Sequence, residues 1–213
     1  MSRRATWGRA GLAALSLFLL VGCGDEDSTG ATKNPPLYEF NAFDNGGRTS
    51  RWKDLPIRVF LGNGVARPDE VSVWTGATAG VVTFVFVGTP EAANIKFRFT
   101  GDTQFCGRTF LTFEGDLIVD VDTEVSRPLY RGPLCVRTVT HETAHGVGFL
   151  SHTSDGGLMD PDGGNGVITP VTGQVLRDLY LLPPGTLVTL QTKQLKLQRE
   201  GRRVMTFTYP VRQ

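Results

Sequence analysis

The chain has 213 residues, with 22 Lys and Arg against 21 Asp and Glu and 40% hydrophobic residues, which suits one globular domain and excludes a disordered or fibrous chain. A net charge of +1, with no basic stripe interleaved with aromatic residues, excludes nucleic acid as an expected partner. The 26 Gly and 12 Pro predict short elements joined by loops rather than a helix bundle.

The first element is an address. Arg3, Arg4 and Arg9 precede an apolar run from Gly11 to Val21, which is too short to span a bilayer as a helix, and Gly22-Cys23 follows as a small-residue processing site. Leu20-Val21-Gly22-Cys23 resembles the lipobox of bacterial lipoproteins. That resemblance implies cleavage after residue 22, lipidation of Cys23 and an envelope location outside the cytoplasm, and Gly24, in the place of the Asp that often retains such proteins at an inner membrane, favours the outer membrane where the cell has one. Cleavage removes three Arg and no acid, turning the formal charge of +1 into −2. Residues 24–36 are polar and rich in Gly, Ser, Thr and Pro, a spacer composition. The expected organisation is a signal peptide over 1–22, lipidated Cys and spacer over 23–50, a catalytic domain over 51–183 and a hairpin-like tail over 184–213.

Within the folded part, Arg51–Leu61 reads as a strand entered through Pro56 and ended by Gly62-Asn63-Gly64. Pro68-Asp69-Glu70 opens a helix whose apolar face carries Val71, Trp74, Thr75 and Thr78. Val81–Val87 and Ile95–Phe99 are strand-like, and Gly115–Val121 alternates with Asp116 and Asp120 in the manner of a solvent-facing edge strand. Arg137–Val147 is the next helix, and Thr169-Pro170 opens another that ends before Pro183-Pro184. Around Glu200-Gly201, Leu195-Lys-Leu and Met205–Tyr209 alternate as a hairpin would. From Gly185 onward six basic residues oppose one acid, a solvated basic face in the simplest reading. Cys106 and Cys135 are the pair left after Cys23, and an oxidising compartment makes a disulfide their natural use.

All three His of the chain, His141, His145 and His152, lie in the string HETAHGVGFLSH. On a helix His141 and His145 project from one face a turn apart, the spacing two imidazoles need to grip one ion. Glu142 holds the HExxH position, from which a carboxylate reaches a metal-bound water without being a ligand. Gly148 permits the left-handed exit that lets His152 return as a third nitrogen donor, leaving a fourth position for water. With three His and eight Glu, a shuffled chain carries HExxH roughly once in several hundred, so chance is a poor explanation.

The set His141, Glu142, His145, Gly148, His152 and Met159 resembles the metzincin zinc peptidases, in their bacterial matrixin-like branch. The resemblance covers residues 51–183 and implies an α+β, zincin-like fold. In it a twisted, mixed and mostly parallel sheet is backed by helices, with an HExxH active-site helix and a Met-turn. It implies three His ligands to one catalytic Zn2+, Glu142 as general base, Met159 in a tight turn beneath the metal, and a protein or peptide substrate pairing with an edge strand near Gly115–Val121. Two departures stand out. Ser151 occupies the commonest place of the third ligand, so His152 implies a longer loop, and Asp160 and Asp162 replace the aromatic residues usual at the substrate pocket. Asp155, Asp160, Asp162 and Asn165 are oxygen donors of the kind calcium uses, but the spacing is not an EF-hand and a Gly-rich turn needs no ion, so Ca2+ is not counted among the expected cofactors. The expected protein is thus a monomeric, lipid-anchored zinc endopeptidase. The alternative is a catalytically idle zinc-binding surface lipoprotein acting in adhesion or partner binding.

Overall fold

A computed structural model describes residues 36–127, 135, 137–188 and 202–210. The lipobox with Cys23, the spacer through residue 35, Leu195-Lys-Leu and the Glu200-Gly201 turn lie outside the described residues.

The fold is α+β, built on a mixed six-stranded sheet in the order β2-β1-β3-β5-β4-β6. Strands β1 (Ile57–Phe60), β2 (Phe84–Phe86), β3 (Ile95–Thr100) and β5 (Leu117–Ser126) form its parallel part. Strand β4 (Phe105–Glu114) runs antiparallel to β5, and β6 (Arg202–Pro210) runs antiparallel to β4. Helix α1 (Pro68–Ala77) connects β1 to β2, α2 (Thr138–Gly146) follows β5, and α3 (Pro170–Leu181) comes before β6. Pro68 and Pro170 each occupy the first helical turn, where a missing N–H costs nothing.

Two sequence expectations change. The segment expected as one strand over Arg51–Leu61 is a strand only over Ile57–Phe60. Gly115–Val121 is not a sheet edge: Leu117–Ser126 is an interior strand, paired with β3 on one side and β4 on the other. Its acids line the solvent face of the sheet. Lys96 Nζ meets Asp120 Oδ1 at 2.5 Å and Asp122 Oδ1 at 3.5 Å, and Arg98 meets Glu124 at 2.7 Å across the β3–β5 ladder. Alternation of charge therefore marks a polar face here, a property that edge and interior strands share.

The opposite face carries Val59, Ile95, Phe97, Leu111, Phe113 and Val121, all buried, and packs on the helices. Helix α2 is enclosed completely, every residue from Thr138 to Gly146 being buried. Two indoles fix it by hydrogen bonds, Trp74 Nε1 donating to the Thr140 carbonyl at 2.9 Å and Trp52 Nε1 to the Gly146 carbonyl at 2.8 Å. Gly146 lets the helix lie close on the sheet, since a Cβ there would stand 3.2 Å from Ile95 Cδ1. Gly148, at φ +105°, then turns the chain away. A Cβ there would come within 2.9 Å of Leu179 Cδ2.

Candidate metal centre

Helix α2 brings His141 and His145 onto one face, and the loop after Gly148 returns His152 to them, so that one ligand atom of each lies within 4.8 Å of the others. His141 Nε2 is 3.2 Å from His145 Nε2 and 3.3 Å from His152 Nε2. His141 Nδ1 donates to the Leu158 carbonyl and His145 Nδ1 to the Phe149 carbonyl, each at 2.7 Å. A neutral imidazole that gives its one proton to a carbonyl through Nδ1 has only a lone pair at Nε2. The 3.2 Å contact between His141 and His145 is thus lone pair against lone pair, an arrangement a shared cation stabilises and a hydrogen bond cannot.

Burial keeps these rings neutral. Desolvation pushes the His141 pKa down to about 3, against the pull of the Leu158 carbonyl, and holds His145 well below the ordinary histidine range. His152, half-buried, is lowered by desolvation while the Asp160 carboxylate opposes the shift. Three neutral nitrogens facing one point are a donor set that can hold a metal ion.

Glu142 is enclosed between α2 and β4. Its Oε2 accepts from Thr109 Oγ1 at 2.6 Å, and its Oε1 is buried with no protein partner. Desolvation raises its pKa to about 8, with the Thr109 hydroxyl working in the opposite direction. Space for this carboxyl comes from Gly107 of β4, where a Cβ would stand 2.6 Å from Glu142 Oε1 and 2.6 Å from Thr138 Cγ2.

Met159 is fully buried in the core, inside a tight turn closed by Asp160 N donating to the Gly157 carbonyl at 3.1 Å. Its own carbonyl accepts from Thr153 N at 2.8 Å, and the preceding carbonyl is the one that fixes His141. Cys106 on β4 and Cys135 ahead of α2 form a disulfide spanning 29 residues, against which Tyr209 packs. The oxygen donors of the Gly-rich loop face its own donors. Asp155 takes Thr153, Thr169 and Gly157 N, Asp160 takes Gly156 N, Asp162 takes Gly164 N and Asn165 takes Val167 N.

Residues missing from the sequence-based site complete it. Phe207 and Tyr209 of β6 stack on the histidine rings, Phe207 on His145 at 4.4 Å between centroids and 12° between planes, Tyr209 on His141 at 4.5 Å and 18°. Thr109 and Gly107 form the wall against Glu142. Gly107, a glycine inside a strand, was the one available signal, since such a glycine often marks close approach of another group. No family model matches this chain, and no curated protein is significantly similar to it.

Proposed function

We propose that this chain is a lipid-anchored, extracytoplasmic zinc endopeptidase with a zincin-like, metzincin-type catalytic domain, in which His141, His145 and His152 hold the metal and Glu142 is the general base. The observation that carries the reading is the convergence of neutral imidazole nitrogens 3.2 and 3.3 Å apart. Tetrahedral coordination with Zn–N bonds of about 2.0–2.1 Å requires ligand atoms about 3.3–3.4 Å apart. Zinc bound there supplies a Lewis acid that acidifies a coordinated water and polarises a carbonyl.

The protein's own groups do the rest. The Leu158 and Phe149 carbonyls hold two rings in the tautomer that presents Nε2. The unpartnered Glu142 Oε1 accepts the proton of the attacking water and delivers it to the leaving amine nitrogen, while Thr109 fixes the other oxygen and so the direction of the carboxyl. Burial, which raises the pKa of this carboxyl in the metal-free protein, and the charge of a bound cation, which would lower it, act on it in opposite directions. Met159, in its closed turn, supports the floor of the site through the Leu158 carbonyl. Cys23 supplies the membrane attachment, and the substrate is a protein or peptide in extended form.

The test pairs the mature chain with Glu142→Ala. Metal analysis should give one zinc per chain in both, and a diverse peptide library should be cleaved by the first and at least a thousandfold more slowly by the second. Equal behaviour of the two proteins towards a bound partner, with zinc present and no cleavage by either form, would favour the idle binding lipoprotein.

A further inference from the structure

Strand β6 sits where access to the histidines would be. Its register on β4 sets Tyr209 opposite Gly107, Phe207 opposite Thr109 and Met205 opposite Leu111. Gly107 is the residue that makes room for Glu142, and Thr109 the one that binds it. The strand thus lays two aromatic rings flat against His141 and His145 directly beside the wall that holds the base. The loop after His152 receives it: Gly163 packs against the Tyr209 ring so closely that any Cβ would overlap the phenol.

The inner face of the same strand is held by Arg203, which donates to the Asp44 carbonyl and to Ser50 Oγ at 3.2 Å each, and by Met205 and Phe207 against the core, while its outer face is open. Arg202, Val204, Thr206, Thr208 and Pro210 are exposed, and Tyr209 is its one buried side chain. Among the described strands β4 is its only sheet neighbour. An outside peptide pairing with β4 would rebuild the ladder that β6 makes, so backbone hydrogen bonds do not discriminate between the two. What favours β6 is its covalent attachment, equivalent to an effective concentration on the order of millimolar.

We propose that β6 is a built-in occupant of a peptide-strand site: it holds the β4 edge and covers the histidine cluster, and an extended peptide reaches that cluster only by displacing it. On the peptidase reading, on which this consequence rests, β6 is autoinhibitory. The alternation of Met205, Phe207 and Tyr209 on its inner face further marks the displacing peptide as one with large apolar side chains at every second position.

The mature chain tests this with two variants and the nonapeptide Arg-Arg-Val-Met-Thr-Phe-Thr-Tyr-Pro, labelled, as probe. Phe207→Ala with Tyr209→Ala weakens the grip of β6. Thr112→Cys with Val204→Cys crosslinks β6 to β4 through opposed residues while keeping every inner contact. In the metal-free proteins the first variant should bind the probe at least tenfold more tightly than wild type, and its β4 amides should exchange with deuterium at least tenfold faster in the absence of probe. With zinc, cleavage should rise at least tenfold in the first variant and fall at least tenfold in the crosslinked one. A crosslinked protein that binds probe and cleaves as well as wild type overturns the proposal, and it does so even if the alanine variant fails to fold. Tighter probe binding by the alanine variant, with no cleavage by any zinc-loaded form, leaves β6 as the occupant of the β4 edge and overturns the peptidase reading instead.

Discussion

Glu142 carries two opposing influences that can be varied separately. Burial favours its neutral form, and the Thr109 hydroxyl, donating to Oε2 at 2.6 Å, favours the charged one. Thr109→Val keeps the shape and removes the donor. The Glu142 pKa should then rise, so on the proposed peptidase reading the acidic limb of the pH–rate profile for kcat should move to higher pH, with kcat at neutral pH falling about tenfold for want of orientation. The His ligands are untouched, so zinc content should stay at wild-type level. A merely structural role for Thr109 would lower stability, by about 1 kcal/mol for a lost hydrogen bond, without moving the limb. Steady-state kinetics across pH, read beside metal analysis, separates the two.

At the scale of elements the site depends on α2 being held against β4. The Cys106–Cys135 bridge ties β4 to the segment just before α2, and Trp74 and Trp52 hold the helix from its other sides. Closing a loop of 29 residues constrains the unfolded chain by roughly 3.5 kcal/mol. Cys106→Ala with Cys135→Ala should lower unfolding stability by about that amount in urea titration, and should weaken zinc binding as the start of α2 loosens. The histidine cluster was legible in the sequence because its logic is local: His141 and His145 are one helical turn apart, and a glycine with positive φ returns His152 within a few residues. The wall opposite was not legible. Gly107, Thr109, Phe207 and Tyr209 reach the site through pairing registers that join residues a hundred positions apart, and no local periodicity encodes a register. Strand β4 itself was missed because its sequence, FCGRTFLTFE, breaks strict alternation: Cys106 and Phe110 share a face with Arg108, Thr112 and Glu114, while Gly107 and Thr109 put a missing and a polar side chain on the buried face. Gly115–Val121 was placed at an edge because its acids alternate, yet Asp120 meets Lys96 of the neighbouring strand and Asp116 accepts from Asn45, and Glu124 further along the strand meets Arg98.

For the molecule as a whole, the enclosed site makes stability depend on pH and, on the proposed reading, on metal as well. Glu142 has a folded pKa of about 8 against an ordinary value of 4.5, so the folded metal-free protein binds the proton more tightly than the unfolded chain does. Its contribution is fully present below pH 4.5 and is lost as pH rises to about 8. The histidines act oppositely. His141, ordinary value 6.5 and folded value about 3, contributes stability above pH 6.5 that is lost as pH falls towards 3. Glu142→Gln removes the first dependence and leaves the second. In the metal-free protein the variant should therefore gain in thermal midpoint over wild type progressively between pH 4.5 and 8, and the gain should level off above that. On the proposed reading, a cation held by the three imidazoles would oppose the preference at residue 142, because positive charge favours the carboxylate. Zinc should accordingly raise the midpoint of both proteins by mass action, and at pH 8 the advantage of Glu142→Gln should shrink or vanish. Thermal unfolding of both proteins across that pH range, with zinc and with chelator, checks the whole linkage. A variant advantage that is independent of pH would mean that the carboxyl at 142 is not desolvated as its contacts with Thr109 and Gly107 imply, and one that is independent of metal would mean that no cation acts on it.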